Sequence, residues 1–353
     1  MVDTTLFEPL KEYIDVIDQG VKLFLNQYND VPKYYETLQY HLGFRSTDLT
    51  PLQTSLDGKH KKGKRLRPLM CLLVYKAIKG EYARALPLIT AFEFMHSASL
   101  VHDDIQDGDE LRWGRPTYWK LFGVPQGVNG GDTLIGLTYC SALDLLKQGF
   151  STDVVCRILG IINNTHIQMV EGQYMDIDFE SRMDVSITEY LEMISKKTAS
   201  PYDGIAQCAS FLAGVNQEVI IRYKWFGRKF GMLFQLTDDV MSIWGNPEKT
   251  GKEALGDIKK RKKTLPILYA LEKASPSEKK ILEGYYGSDP EGSIFSLAEV
   301  LQVLETMKAR DYCMNWIHKF NEETLISLEK TEIRSESQDI LKSIVEYCYE
   351  RVL

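Results

Sequence analysis

Two clusters of acidic residues carry the most chemistry in this sequence. Asp103, Asp104 and Asp107 form the first cluster, and Asp238 and Asp239 form the second, about 135 residues later. Each cluster follows an apolar stretch of helical character. Carboxylates at the end of an apolar helix face are costly to bury unless a positive charge meets them. Because hard oxygen ligands suit Mg²⁺, the two clusters together predict a shared cation site.

The spacing of the first cluster supports that prediction. On a helix, Asp103 and Asp107 lie on one face, a turn apart. Asp104 lies about 100° further round and can serve a second ion or its water shell. This geometry suits two or three Mg²⁺ ions that hold a diphosphate. The alternative is a solvated acidic helix end, because Asp109 and Glu110 follow directly.

Basic residues accompany both clusters, as a polyanionic phosphate would require. Arg112 lies beyond Asp107, one turn further along the predicted helix. A Gly- and Lys-rich segment at 245–252 follows the second cluster, and it contains Lys252 and precedes Lys262. Such a loop can close over a phosphate and exclude water. The alternatives are an ordinary helix salt bridge for Arg112 and a solvated basic loop for the segment.

A third basic element spans 59–68. Lys64 and Arg67 stand at the start of a predicted helix, where their charges add to the field of the helix N-terminus. His96 can contribute a further donor, although a lone histidine on an apolar face is more often a core residue. Taken alone, the basic element is equally well explained as a charged surface loop.

The elements that must position these residues are helices. Apolar residues recur at three- and four-residue spacing through nearly the whole chain. The stripes run through 65–105, 130–148, 152–175, 186–213, 217–244, 264–274, 296–318 and 320–351. No linker divides them, so the sequence predicts one all-α domain over 1–353, a large single-domain bundle. Its motif-bearing core lies at about 60–270, with C-terminal helices at 271–353.

Bulk composition excludes several classes. The chain has 353 residues, 44% hydrophobic and 26% charged, which is typical of a soluble protein. A net charge of −7 argues against nucleic-acid binding. The six cysteines include no CxxC pair, which favours reduced thiols in the cytoplasm. No apolar run approaches the ~20 residues of a membrane span, and the first residues do not resemble a signal peptide.

In combination, the motifs resemble those of the trans-isoprenyl diphosphate synthases, or polyprenyl synthetases, and in particular geranylgeranyl diphosphate synthases. The resemblance covers the chain from about Gly63 to Pro266. The motifs occur in that family's order: Gly63–Pro68, His96–Asp107, Gly172-Gln173, Lys197-Thr198, Phe234–Asp239 and Lys262–Pro266. The resemblance implies the all-helical isoprenoid synthase fold with a central cavity for diphosphate and Mg²⁺, and a homodimer.

The resemblance also implies a role for each matching residue. The ligands of three Mg²⁺ ions would be Asp103, Asp104, Asp107 and Asp238, supported by Asp239. The diphosphate of an allylic substrate would be bound by Arg112, Lys197, Lys252 and Lys262. Isopentenyl diphosphate would be bound by Lys64, Arg67 and His96, while Gln235 and Thr198 would face the reacting carbons. The implied reaction is ionisation to an allylic cation, attack by the alkene of isopentenyl diphosphate and loss of a proton.

The chain departs from the family pattern at Trp113, where the usual Arg-Arg-Gly reads Arg112-Trp113-Gly114. The missing arginine removes a charge-assisted contact worth about 1.5–3 kcal/mol, and so weakens isopentenyl diphosphate binding by roughly one to two powers of ten. Arg115 is a candidate replacement. The alternatives are neutral drift, or loss of isopentenyl diphosphate as a substrate. Ser242 and Arg261 are lesser departures, standing where many relatives have Asp and Gly.

Product length is predicted from the turn before Asp103. Short-chain enzymes of this family place aromatic residues at the positions of Ala98 and Ser99. Two small residues leave the tunnel open, which favours a product of C20 or longer. Met95, or the aromatic pair Phe92 and Phe94, would then form the floor. The alternative is that these residues only pack helix against helix.

The sequence therefore predicts a Mg²⁺-dependent prenyltransferase that condenses an allylic diphosphate with isopentenyl diphosphate. The second hypothesis is a class I terpene synthase on the same fold, which ionises a long allylic diphosphate without condensation. The third is a non-catalytic subunit of a heteromeric prenyl synthase. The nearly complete acidic set argues against this third reading.

Overall fold

Helices make up nearly all the regular structure of this protein. The computed structural model describes residues 10–28, 30–52, 63–245, 255–287 and 295–353. Within these ranges the all-α prediction is confirmed, and the sole sheet among them is a hairpin of two short strands. None of the helices in the described ranges has the length and apolarity needed to span a membrane.

The chain divides into two compact units, which are described separately. The first comprises Phe7–Ile162 and Cys208–Val215, and the second includes Asn163–Gln207 and Asn216–Leu353. Elements wholly in the first unit are α1 (Lys11–Leu25), α2 (Pro32–His41), α3 (Leu66–Lys79), α4 (Leu86–Gln106), β1 (Leu111–Arg112), β2 (Arg115–Pro116), α5 (Tyr118–Phe122) and α6 (Val124–Leu143). Helices α7 (Thr152–Ser181) and α9 (Ser200–Leu212) contribute residues to both units.

The second unit contains the remaining helices. These are α8 (Ile187–Ile194), α10 (Gln217–Trp244), α11 (Gly256–Lys259), α12 (Leu265–Lys273), α13 (Pro276–Tyr286), α14 (Leu297–Thr306), α15 (Ala309–Glu329) and α16 (Glu336–Glu350). A π-helical turn, Ser195–Ala199, continues α8 into α9. α8 begins with a capping box, in which Ser186 and Glu189 exchange hydrogen bonds.

Two apolar clusters anchor the helices that carry the acidic motifs. In the first unit, α4 packs mainly on α6 and also contacts α1 and α3. The cluster there includes Val21, Phe24, Leu38, Phe94, Ala98, Val101, Leu134 and Leu137. In the second unit, α10 packs mainly on α15. Its C-terminal end joins a cluster that includes Ile243, Ile258, Ile267, Leu282, Val300 and Leu304.

Several stripes of helical periodicity contain more than one helix, for local reasons. The stripe at 65–105 is two helices, because α3 ends where Gly80 adopts a φ of 77°. The stripes at 296–318 and 320–351 are three helices, with Lys308 at a φ of 52° separating α14 from α15. Apolar periodicity survives such breaks, so periodicity alone does not locate them.

Candidate active site

The first acidic cluster lies at the C-terminal end of α4. Asp103 and Asp104 occupy its last turn, and Asp107 caps it by donating its backbone N–H to the carbonyl oxygen of Asp103, at 2.8 Å. The predicted one-turn relation of Asp103 and Asp107 is therefore confirmed. Asp104 is buried, whereas Asp103 and Asp107 are half-buried.

Burial perturbs the ionisation of Asp104. Burial raises the pKa of Asp104 to about 6, although the nearby guanidinium of Arg112 opposes the rise. Its Oδ1 accepts a hydrogen bond from Nε of Arg112 at 2.7 Å. Its Oδ2 is buried and has no hydrogen-bond partner among the described residues. A carboxylate in this state is stabilised by any cation that reaches the second oxygen.

Arg112 lies on a β-hairpin, and its predicted place on the helix is wrong. α4 has ended by then, and β1 pairs Arg112 with Arg115 of β2. The two loop residues, Trp113 and Gly114, have φ values of 54° and 76°. Positive φ at both central positions is the signature of a type I′ turn, which suits a two-residue hairpin. The turn directs Arg112 back onto the acidic cluster, where Nη2 lies 3.5 Å from Oδ2 of Asp103.

Trp113 lies against the basic element. A β-carbon added at Gly63 would be 2.9 Å from Cζ2 of Trp113, so the indole covers the backbone beside Lys64. Arg115, the candidate replacement for the missing arginine, is engaged by other groups. Its Nη2 donates to the carbonyl oxygens of Tyr40 and Arg45, at 3.3 and 2.7 Å. Its guanidinium also lies over the Tyr40 ring, at 4.3 Å.

Residues 59–62 of the basic element lie outside the described residues, and the rest of it contains a structural arginine and two residues of the candidate site. Arg65 is buried, and it bonds to Asp18, Glu93 and the carbonyl oxygen of Leu42. This network fixes the start of α3, where Arg65 itself has a φ of 53°. Because Arg65 is held in this way, the exposed Lys64 and the half-buried Arg67 remain the anion-binding candidates.

The structure brings Arg67 and His96 together, with Nη1 3.1 Å from Nε2 of the imidazole. A guanidinium only donates, so Nε2 is the acceptor and the His96 proton is on Nδ1. Burial and the charge of Arg67 lower the pKa of His96 well below its usual value. His96 is therefore neutral near pH 7. A second buried histidine, His41, was missed by sequence reasoning. Burial and the nearby charge of Arg112 lower the pKa of His41 to about 3.

The chain-length candidates divide between core and partly exposed positions. Ala98 belongs to the first unit's apolar cluster, so it has a packing role in this structure. Met95 is also buried. Ser99 is half-buried, and its hydroxyl donates to the carbonyl oxygen of His96 at 2.7 Å. The role of these residues in chain length stays a prediction, and the half-buried Ser99 is the better candidate for contact with a ligand.

In the second unit, Asp239 is buried at the end of a hydrogen-bonded chain. Its Oδ2 accepts from the hydroxyl of Tyr190, and its Oδ1 accepts from Nε2 of Gln235 at 3.0 Å. The amide oxygen of Gln235 in turn accepts from the hydroxyl of Thr198 at 2.8 Å. Burial raises the pKa of Asp239 to about 7, although the hydrogen bonds from Tyr190 and Gln235 oppose the rise. Asp239 therefore orients Gln235, and its role in supporting the metal ligands stays a prediction.

Asp238 is more accessible than Asp239. It is half-buried, and its Oδ1 lies 3.3 Å from Nη2 of Arg351, near the C-terminal end of the chain. Ser242, at the position of a third aspartate in many relatives, donates to the carbonyl oxygen of Asp239. Ser242 therefore adds no ligand here. Arg351 was missed because no sequence motif connects the C-terminal helix with Asp238.

The π-helical turn carries Lys197 and Thr198. A β-carbon at Gly172 would be 2.2 Å from the backbone nitrogen of Lys197, so only glycine allows α7 to approach this closely. Single π-turns within helices occur often at functional sites. The Gly172-Gln173 and Lys197-Thr198 motifs are therefore parts of one packed structure.

Lys197 and Lys262 both lie close to Asp176 of α7. Nζ of Lys197 donates to Oδ2 of Asp176 at 2.5 Å, and Nζ of Lys262 lies 3.8 Å from the same oxygen. The preceding Arg261 has a φ of 58°, which explains why glycine often stands at this position. Lys252 lies outside the described residues.

The carboxylates fit a Mg²⁺ site in chemistry. All are hard oxygen donors, and Asp104 presents a buried oxygen without a hydrogen-bond partner among the described residues. Among the described residues, no three or more His, Cys, Asp or Glu side chains lie close enough together to hold a metal ion as they stand. Arg112 and Arg351 contact the carboxylates that would be ligands.

Comparison with known proteins gives a consistent result. A family model described as polyprenyl synthetase matches residues 51–304. The geranylgeranyl diphosphate synthase of Sulfolobus acidocaldarius is 30% identical over 346 residues, covering 96% of this chain and 97% of that protein. The geranylfarnesyl diphosphate synthase of Aeropyrum pernix is 32% identical over 293 residues, covering 82% and 91%.

Solved structures agree with these relatives. The geranylgeranyl pyrophosphate synthetase of Pyrococcus horikoshii superposes with a TM-score of 0.83 at 28% identity, covering 98% of both chains. A geranylgeranyl pyrophosphate synthase of Corynebacterium glutamicum, complexed with isoprenyl diphosphate and magnesium, has a TM-score of 0.78 at 23% identity, covering 99% of both chains. At that identity the second likeness concerns the fold alone.

Proposed function

Since the chain belongs to the polyprenyl synthetase family and is a trans-prenyltransferase, we propose that it condenses an allylic diphosphate with isopentenyl diphosphate in a Mg²⁺-dependent reaction. The product is a trans-prenyl diphosphate of C20 or longer, and residues 1–353 act as one isoprenoid synthase domain. The observation that carries the proposal is the nearly full-length similarity to geranylgeranyl and geranylfarnesyl diphosphate synthases.

In the proposed site, Mg²⁺ would be held by Asp103, Asp104, Asp107 and Asp238. Three bound ions would stabilise the negative charge that develops on the departing diphosphate. Arg112 anchors the diphosphate beside the first cluster, in the position where it now contacts Asp104. Asp239 takes the supporting role, because hydrogen bonds from Tyr190 and Gln235 already occupy both of its oxygens.

The other residues bind and orient the substrates. Lys197 and Lys262 donate to the allylic diphosphate, with Lys252 joining them from its loop. Gln235 and Thr198, which are hydrogen-bonded to each other, face the reacting carbons. The apolar surroundings keep water from the allylic cation. Lys64, Arg67 and the neutral His96 bind isopentenyl diphosphate. The proton lost after attack passes to the released diphosphate.

One observation favours a second candidate function. Trp113 occupies the position of the second arginine, and Arg115 is engaged with Tyr40 and Arg45. The proposed site for isopentenyl diphosphate then has one positively charged side chain fewer than the family pattern provides. A terpene synthase that ionises a long allylic diphosphate without condensation would tolerate this loss.

One experiment distinguishes the two. Purified protein and Mg²⁺ are incubated with geranyl, farnesyl or geranylgeranyl diphosphate, with and without labelled isopentenyl diphosphate. Label in a diphosphate of C20 or longer is expected. Hydrocarbon or alcohol formed equally well without isopentenyl diphosphate would contradict the synthase and support the terpene synthase. Turnover that requires a second protein would indicate a subunit of a heteromeric enzyme.

The proposed enzyme is a homodimer of the cytoplasm. α7 exposes an apolar stripe, with Ile167, Val170, Tyr174 and Ile177 exposed by 50%, 55%, 71% and 40%. An apolar stripe at helical spacing is typical of an interface with a second helix. The described residues form no disulfide bond, and a reducing compartment would keep the thiols in that state. Light scattering should give a dimer for the wild type and a monomer for Val170→Asp, while Ile221→Asp, outside the stripe, leaves the mass unchanged.

A further inference from the structure

Three charged side chains of the second unit meet at one oxygen. Oδ2 of Asp176 is 2.5 Å from Nζ of Lys197 and 3.8 Å from Nζ of Lys262. All three side chains are largely buried, with 19%, 24% and 21% of their side-chain surface exposed. Neither acidic motif contains Asp176, and the proposed reaction assigns it no role.

Asp176 is ionised in this position. Burial by itself would raise its pKa, but the ammonium groups of Lys197 and Lys262 outweigh burial and lower the pKa below the usual value. The three groups therefore carry a net charge of about +1, whereas the two lysines alone would carry +2. The carboxylate therefore offsets the charge of one of the two lysines.

The backbone at both lysines is held independently of Asp176. At Lys197, the close packing against Gly172 fixes the π-helical turn. At Lys262, the backbone nitrogen donates to the carbonyl oxygen of Asp257 at 2.9 Å. The neighbouring Lys263 donates to the carbonyl oxygens at the end of α7, those of Phe179 and Glu180, at 3.0 and 2.8 Å. Loss of the Asp176 charge should therefore change electrostatics more than position.

We propose that Asp176 is an internal counter-ion of Lys197 and Lys262. The diphosphate displaces the Asp176 carboxylate from both lysines when it binds. The carboxylate pairs with them again when the diphosphate leaves. The inference rests on the proposed function, because it takes these lysines as diphosphate ligands. Carboxylate and phosphate oxygens accept hydrogen bonds from the same ammonium donors, so the two anions compete. Asp176 thereby weakens diphosphate binding and speeds release of the inorganic diphosphate product. It is a positioning residue and does not react.

The test measures binding of inorganic diphosphate, in Mg²⁺ at fixed ionic strength, by calorimetry. Asp176→Asn, which is isosteric and uncharged, should bind on the order of tenfold more tightly than the wild type. Asp176→Glu retains the charge and should stay within about twofold of the wild type. In steady-state kinetics the Asn variant should show lower KM for the allylic diphosphate, lower kcat and stronger inhibition by inorganic diphosphate.

Equal or weaker diphosphate binding by Asp176→Asn would overturn the inference while leaving the proposed function in place. If Asp176 had a purely structural role, Asp176→Asn would bind diphosphate equally or more weakly and would have a raised KM for the allylic diphosphate. If neither wild type nor variant binds diphosphate, the proposed function fails and the inference fails with it. Should the Asn variant not fold, Asp176→Ser provides the same loss of charge, and the same expectations apply to it.

Discussion

The hydroxyl of Tyr190 donates a hydrogen bond to Oδ2 of Asp239, and both residues are buried within the second unit. The other oxygen, Oδ1, accepts a hydrogen bond from the amide nitrogen of Gln235 at 3.0 Å. The amide oxygen of Gln235 then faces Thr198. A tyrosine outside every sequence motif thus helps to set the orientation of a glutamine assigned to the reacting carbons.

Tyr190→Phe should destabilise the protein by about 1–3 kcal/mol, because a buried carboxylate loses a hydrogen-bond donor. Tyr286→Phe is a matched control, since the buried Tyr286 hydroxyl has no hydrogen-bond partner among the described residues. That control should leave the free energy of unfolding unchanged or raise it. Urea unfolding of the two variants measures the difference. Equal losses would show that the Tyr190–Asp239 bond contributes nothing specific.

Trp113→Arg should lower the KM for isopentenyl diphosphate by roughly one to two powers of ten, the reverse of the loss estimated for the missing cation. The indole lies beside Gly63, so an arginine at the same place is close to Lys64. The KM for the allylic substrate should change little. Steady-state kinetics with each substrate varied in turn provides the measurement.

Trp113→Leu controls for loss of the indole without gain of charge. It should not improve isopentenyl diphosphate binding. If Trp113→Arg leaves that KM unchanged, the missing arginine does not limit condensation. If the leucine variant improves the KM as much as arginine does, the indole obstructs the site sterically.

Lys197→Met should raise the KM for the allylic diphosphate at least about tenfold, because it removes a charged hydrogen-bond donor from the proposed diphosphate site. The adjacent Lys196 is a charge-matched control, since it bonds to Glu171 at the surface, at 2.8 Å. Lys196→Met should leave the KM within about twofold. Similar effects at both positions would indicate that general charge, and not a direct contact, determines binding.

Ser99→Phe should shorten the product below C20, because a ring at this half-buried position would block an extending chain. Ala98→Phe should instead destabilise the fold by about 1–3 kcal/mol, since Ala98 is packed in the first unit's apolar cluster. Product analysis by chromatography and thermal unfolding distinguish the two effects. If a folded Ser99→Phe variant makes a product of unchanged length, the growing prenyl chain does not pass Ser99.

His41 makes the fold sensitive to acid. Its pKa is about 3 in the folded protein, because burial and Arg112 disfavour the charged form, and about 6.5 when unfolded. Between these values the unfolded chain binds a proton that the folded chain does not. Above pH 6.5, protonation of His41 therefore costs the folded protein no free energy of unfolding. Below pH 6.5 the free energy of unfolding falls with pH, by up to about 1.4 kcal/mol per pH unit.

His41→Gln should remove this part of the acid sensitivity. A glutamine amide can still donate to the carbonyl oxygen of Ser97, which Nε2 of His41 contacts at 3.0 Å. Between pH 7 and pH 5, the wild type should lose about 2 kcal/mol more unfolding free energy than the variant. Equal losses, measured by urea unfolding at each pH, would mean that His41 is protonated without cost in the folded state.

Sequence patterns predicted the all-α fold and supplied most of the candidate site residues, because helix periodicity and linear motifs are local features. The relation of Asp103 to Asp107 follows from helix geometry alone. Asp176 and His41 belong to no motif, and their roles depend on packing between distant segments. The hairpin that carries Arg112 was also missed, since a type I′ turn usually contains Asn-Gly and here contains Trp113-Gly114.

The placement of Trp113 gives the protein a built-in optical reporter. Trp113 is 37% exposed, and its indole lies against Gly63, next to Lys64. Indole fluorescence responds to local polarity and to nearby charge, and the chain has only five tryptophans. The difference in emission between the wild type and Trp113→Phe would isolate this residue. Isopentenyl diphosphate arriving at Lys64 could then be followed in real time without labelling either molecule.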